Sequence, residues 1–84
     1  MFKYSVIMAG GRGDRMRPLT EYVPKALVNY QGIPLISRVI EQHRKFSKNI
    51  FVTVGYKRNM LVKYLMEEEG IYNFIDLFKR IIFK

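Results

Sequence analysis

The architecture of this chain is set by YSVIMAGGRGDRMRPLTEYVPKALVNYQG, residues 4–32. Tyr4 to Ala9 is a short, nearly continuous apolar run ended by Gly10-Gly11, which predicts a strand buried on both faces, the first of a parallel sheet. From Gly10 to Gly32 the periodicity disappears. The glycines, with Pro18 and Pro24, make this a long irregular loop, with a short extended piece at Ala26 to Tyr30. Loops of such length inside a compact domain are usually functional or disordered.

Outward from the loop, the pattern becomes regular. Pro34 suits the first turn of a helix, and Leu35, Ile36, Val39, Ile40, His43 and Phe46 share one face, which predicts a helix over 34–46. Ser47-Lys48-Asn49 breaks that pattern, and the β-branched run Ile50 to Val54, ended by Gly55, predicts a second strand. Asn59 then caps a second helix with Met60, Leu61, Tyr64 and Leu65 on one face, stopped by Gly70, and Ile71 to Ile75 forms a third strand. Strand, helix, strand, helix, strand is the α/β pattern, a βαβαβ unit whose crossover helices force parallel pairing. Ligands of such a sheet bind at the carboxyl ends of its strands, where the long loop lies. The tail 76–84 stays unassigned. Leu77, Phe78, Ile81 and Ile82 fit a helix face, and Ile81 to Phe83 fit a strand equally well.

Composition sets the outer limits. Eighty-four residues, 49% of them apolar, suffice for one small domain. Fifteen Lys and Arg against seven Asp and Glu give a net charge of +8, which favours partners that carry phosphate. The chain has no cysteine, which removes disulfides and thiolate metal sites, and a lone His43 builds no zinc site. Met1 to Gly10 is too short an apolar run for a signal peptide, and no run approaches the roughly 18 residues of a membrane span. A cytoplasmic protein without membrane contact is the expectation.

The loop holds the ingredients for binding a triphosphate. Glycines lacking Cβ let backbone N–H groups approach phosphate oxygens and adopt the positive φ angles of an anion-binding nest. Arg15 offers paired hydrogen bonds to phosphate, Lys25 a compact point charge, and Pro18 and Pro24 stiffen the path between them. A P-loop would need Gly-Lys followed by Ser or Thr, which is absent. A dinucleotide-binding turn would need glycine in place of Met16 and an immediate helix, which Pro18 and Pro24 forbid.

The same residues resemble a family. Ala9-Gly10-Gly11-x-Gly13, Arg15, Met16, Pro18-Leu19-Thr20, Pro24-Lys25 and Leu27 match the signature of the sugar-phosphate nucleotidylyltransferases, and Gly32-Ile33-Pro34-Leu35-Ile36 resembles the family's helix entry. Asp14 departs from the Thr or Ser of many members. An acidic residue there is similar to subgroups resembling N-acetylmuramate 1-phosphate uridylyltransferases, so the departure bears on base and sugar.

The resemblance implies a Rossmann-like sheet, of which residues 1–75 are the N-terminal portion of a larger nucleotidyltransferase fold. It implies that Met8, Ala9, Gly10, Gly11, Arg12 and Gly13 cradle the nucleotide and that Arg15 and Lys25 are the catalytic cations on its phosphates. The implied substrates are a nucleoside triphosphate and a sugar 1-phosphate, with Mg2+ as cofactor held by residues further along than this sequence extends. An incomplete active site is therefore expected of this chain, with an inactive nucleotide-binding remnant as the alternative, and self-association through an unpaired sheet edge is expected as well.

Plainer roles fit other residues. Asp14 suits hydrogen bonds to nearby backbone, Asp76 the surface, and His43 half-buried packing. Arg12 and Arg17 suit either phosphate or solvent, and Arg12-Gly13-Asp14 is a chance adhesion tripeptide. Arg44, Lys45, Lys48, Lys57, Arg58 and Lys63 lie in a stretch without acidic residues between Glu41 and Glu67. A basic nucleic-acid-binding module is the alternative they raise, although no aromatic residues interleave them in the single-strand-binding manner.

Overall fold

A computed structural model describes residues 2–11, 22–77 and 81–83. The strands are β1 (Phe2–Ile7), β2 (Asn29–Tyr30), β3 (Ile33–Pro34), β4 (Ser47–Val54), β5 (Phe74–Asp76) and β6 (Ile81–Phe83), and the helices are α1 (Leu35–Arg44) and α2 (Arg58–Glu68). The main sheet runs β1-β4-β5-β6. Its first three strands are parallel, with Ile7 beside Val52 and Val52 beside Phe74, and β6 is antiparallel to β5. The α/β expectation and its parallel βαβαβ core are thus realised.

Two crossovers of the same hand that step the same way along a sheet place their helices on one face. The core follows that rule. Ile36 and Ile40 of α1 and Leu61 and Leu65 of α2 pack with Ile7, Ile50, Val52, Val54 and Phe74 of the sheet. Ile40, Leu61, Leu65, Val52 and Val54 are fully buried, each contributing about 1.5–3 kcal/mol of transfer free energy. Away from the strands' carboxyl ends, a polar cluster joins the helices. The Ser37 hydroxyl lies 2.6 Å from that of Tyr64 and donates to Glu69 Oε2 at 2.7 Å, and Arg44 pairs with Glu69.

One-sided packing corrects the first strand. β1 begins and ends two residues earlier than 4–9, and it is not buried on both faces: Ile7 is in the core while Tyr4, Val6 and Met8 on the opposite side are exposed. An uninterrupted apolar run cannot distinguish a strand covered twice from one covered once.

Other boundaries shift for local reasons. Pro34 is not inside α1. It closes a hairpin in which Gln31 and Gly32 both have positive φ, 54° and 82°, as a two-residue type I′ turn requires. The Leu35 N–H then donates to Val28 O at 3.1 Å, which fixes where α1 begins. Of the expected α1 face, Ile36 and Ile40 are buried, Leu35 and His43 half-buried, and Val39 and Phe46 exposed. The polar residues Ser47, Lys48 and Asn49 belong to β4, because Phe2 and Tyr4 supply a parallel partner strand beside them. At α2, Lys57 in a left-handed conformation is the N-cap in place of Asn59. Gly70, at φ 65°, ends the helix as anticipated, and the Ile71 N–H turns back to Leu65 O at 2.9 Å. The boundary drawn at residue 76 falls inside β5, and Ile81–Phe83 takes the strand option.

Candidate functional site

The carboxyl ends of three parallel strands converge on one backbone turn. Ala9, Gly10 and Gly11 follow β1, Gly55 and Tyr56 follow β4, and Leu77 follows β5. The Ala9 N–H donates to Thr53 Oγ1 at 2.7 Å, and the Tyr56 N–H donates to Gly10 O at 3.3 Å. The Leu77 N–H reaches Val54 O at 2.9 Å, which brings the Leu77 side chain over Gly10.

Glycine is required here by close approach. A Cβ on Gly10 would lie 3.3 Å from the Val54 carbonyl carbon and run into the Leu77 side chain. Neither Gly10 nor Gly11 has the positive φ that a nest would use; among the described glycines, Gly32 and Gly70 have it. The anticipated nest is therefore not formed at these two positions. Gly11 has open space where a Cβ would stand, and it faces a cleft.

That cleft has a volume of about 620 Å³, within the usual range for small-molecule sites. It runs from Gly11 and Lys25 along the outer edge of β1, between Val6 on the strand, with Met8 just past its end, and Leu35 and Val39 on α1. Lys25 opens a 3-10 turn, Lys25–Leu27, whose geometry begins at the buried Pro24, with Leu27 N–H donating to Pro24 O at 2.9 Å. Proline's fixed φ and the burial of its ring thus place the Lys25 cation at the rim shared with the glycine turn. His43 also lines the cleft, half-buried as anticipated.

Of the candidate residues, the structure brings Met8, Ala9, Gly11 and Lys25 to one cleft, with Gly10 beneath it. Arg12, Gly13 and Arg15 lie outside the described residues, as do Asp14 and Arg17. Sequence reasoning missed Thr53 and Leu77, and took Gly55 only as the end of a strand. Nothing in local spacing marks them, since their contacts to the turn span more than 40 residues of chain.

Asp76 requires a correction. It is fully buried, not at the surface, and its Oδ2 lies 2.8 Å from Arg58 Nε across the ends of β5 and α2. Glu69 is engaged by Arg44 and Ser37 away from the glycine turn. Among the described residues no three His, Cys, Asp or Glu side chains gather to hold a metal ion. The resemblance places the ligands of its implied magnesium further along than this sequence extends, and no described residue is assigned to it.

The basic stretch is divided by the fold. Arg44, Lys45 and Lys48 lie around the start of β4, whereas Lys57 and Arg58 follow its end. Six strand residues, Asn49 to Val54, lie between Lys48 and the second group, about 20 Å of extended chain. Two of the cations, Arg44 and Arg58, already form ion pairs.

Comparison with known proteins follows the same residues. The family described as the MobA-like NTP transferase domain matches residues 5–76. The bifunctional protein GlmU of Methanocaldococcus jannaschii is 37% identical over 67 residues, covering 80% of this chain and 16% of that protein. A UTP–glucose-1-phosphate uridylyltransferase, AglF of Haloferax volcanii, is 34% identical over 65 residues, covering 76% and 27%. Among solved structures, the CTP:phosphocholine cytidylyltransferase LicC of Streptococcus pneumoniae superposes with a TM-score of 0.75 at 39% identity, over 94% of this chain and 34% of that one. The chain thus spans about a sixth of the length of the first of these relatives.

Proposed function

The chain belongs to the MobA-like NTP transferase family, and from that premise we propose that it binds a nucleoside triphosphate at the Gly10 turn for transfer of the nucleoside monophosphate to a sugar 1-phosphate. The observation that carries the reading is the meeting of the glycine turn and Lys25 in one cleft at the carboxyl end of β1. Exposed backbone at Gly11 suits close approach of a phosphate oxygen, and the Lys25 ammonium offsets its charge. Arg15 and the Arg12–Gly13 backbone belong to the same phosphate site on this reading.

The reaction is in-line. An oxygen of the acceptor phosphate forms a bond to the α-phosphorus as the bond from that phosphorus to the bridging oxygen of the leaving pyrophosphate breaks. Catalysis then consists mainly of positioning and of cationic stabilisation of the charge that builds between the groups. Magnesium, when bound with the triphosphate, would supply charge neutralisation; no described carboxylate is assigned to it. No described helix is long and apolar enough to cross a membrane.

AglF is a uridylyltransferase acting with glucose 1-phosphate, and LicC transfers to phosphocholine, so the acceptor is a small phosphate monoester in both. The sugar 1-phosphate is preferred here because the loop carries the signature described above. The partner reading also includes a second copy of the chain: among the described residues β1 pairs on one side only, and Tyr4, Val6 and Met8 are exposed.

The test is a titration of the protein with UTP, CTP, GTP, ATP and dTTP in magnesium, followed by backbone amide chemical shifts. Shifts centred on Gly10 and Gly11 for at least one nucleotide are expected. Shifts confined to the separate lysines and arginines, together with salt-dependent retention on DNA, would favour the basic-module reading instead. Pyrophosphate release with hexose 1-phosphates, against release with phosphocholine, then separates the acceptor classes.

A further inference from the structure

The glycine turn is held by groups that stand behind it, on strands that do not line the cleft. Thr53 is 2% exposed in β4, and its Oγ1 takes the Ala9 N–H at 2.7 Å. A valine of the same shape would fit the space but leave that amide without its acceptor, at a cost comparable to a lost buried hydrogen bond. Two residues further on, Gly55 touches the turn through its bare Cα. A Cβ there would lie 2.9 Å from Gly10 O, closer than side chains approach a backbone oxygen. That same oxygen accepts the Tyr56 N–H at 3.3 Å, so any shift of Gly10 away from residue 55 also strains this bond.

The three contacts fix different atoms of one short segment. The Ala9 nitrogen is tied to Thr53, the Gly10 oxygen is tied to Tyr56 and seated against Gly55, and the Gly10 Cα is confined by Leu77 and Val54. Since Ala9 has its amide committed to Thr53, a phosphate arriving from the cleft meets the backbone at Gly10 and Gly11. The Gly10–Gly11 peptide plane, held through the Gly10 oxygen, fixes the direction of the Gly11 N–H before ligand arrives. Preorganised donors bind more tightly than donors that must first be ordered.

From this arrangement we infer that Thr53 and Gly55 are positioning residues for the nucleotide-phosphate turn: they touch no ligand, and they set nucleotide affinity by fixing the backbone of Ala9 and Gly10. The inference rests on the nucleotide-binding reading for its ligand, while the clamp itself is a property of the free protein.

The test uses Thr53→Val, Thr53→Ser and Gly55→Ala in the full chain, at a temperature where circular dichroism shows each to be folded. In the free protein, exchange of the Ala9 amide should accelerate at least about tenfold in Thr53→Val and return toward wild type in Thr53→Ser, which keeps an acceptor oxygen. The dissociation constant for the preferred nucleoside triphosphate should rise about tenfold in Thr53→Val, recover in Thr53→Ser, and rise at least as far in Gly55→Ala, whose added methyl displaces the Gly10 carbonyl. Where turnover is measured, the loss should appear chiefly in KM for the nucleotide, with kcat less affected. A general loss of stability would not be rescued in affinity by serine at unchanged fold.

Unchanged Ala9 exchange in Thr53→Val would overturn the clamp. Faster exchange with unchanged nucleotide affinity would overturn its role in binding. A wild-type protein that binds none of the five nucleotides would remove the nucleotide reading and the binding role with it, and free-protein exchange would then decide the clamp by itself.

Discussion

Asp76 Oδ2 lies 2.8 Å from Arg58 Nε, with the aspartate side chain 1% exposed and the arginine 32%. This ion pair joins the last residue of β5 to the first residue of α2, across the same edge of the sheet that carries the glycine turn. A buried ion pair contributes little net stability when whole, yet removing one partner leaves an uncompensated charge in low dielectric. Arg58→Met, which takes that cation from the buried carboxylate, should therefore lower unfolding free energy by about 3 kcal/mol in urea, and adding Asp76→Leu should recover much of that loss. A single substitution costing less than half as much would show that water already reaches the pair.

The two glycines of the turn should respond differently to a methyl group. At Gly10 the added Cβ meets the Val54 carbonyl carbon and the Leu77 side chain, whereas at Gly11 it meets nothing within 4 Å. Gly10→Ala is expected to perturb amide shifts of Tyr56 and Leu77 in the free protein and to weaken nucleotide binding more than about tenfold. Gly11→Ala should leave the free protein unchanged and act only when ligand is added. Equal free-protein spectra for both variants would contradict the packing described.

Lys25 stands at the cleft rim on a turn whose geometry begins at Pro24. In a protein that turns over, Lys25→Ala should lower the rate of pyrophosphate release by roughly a hundredfold if its charge acts on the transition state, with a smaller change in sugar 1-phosphate affinity. Activity within error of wild type would take Lys25 out of the site. Pro24→Ala offers a graded comparison, since it loosens the turn and keeps the cation.

The exposed face of β1 makes a prediction about assembly. Val6 is 50% exposed and Met8 75%, beside a strand edge with no described partner. Sedimentation should show concentration-dependent self-association, and Val6→Lys should shift it toward monomer by placing charge on the edge. Because Val6 also lines the cleft, Tyr4→Lys is the companion variant, being on the same exposed face and absent from the cleft lining. A monomer at all concentrations in the unsubstituted protein would dismiss the second copy as a partner.

Local chemistry in the chain was enough for the order of the βαβαβ core and for singling out the loop after β1 as the candidate site. Apolar periodicity marked α1, the β-branched run marked the inner half of β4, Gly70 marked the end of α2, and the spacing of glycines, prolines and cations between Ala9 and Lys25 marked the site. Each of these signals comes from residues that act on their near neighbours, so no tertiary contact was needed to see them. What the chain order could not express was decided by contacts between distant segments. Both helices lie on one face of the sheet, which leaves Tyr4, Val6 and Met8 uncovered, and the polar start of β4 is a strand because β1 pairs with it. Asp76 is buried where Arg58 meets it, and Gly10 is a glycine because Val54 and Leu77 close around it. Strand pairing, burial and steric approach depend on which segments become neighbours in space, and that is settled only when the sheet assembles.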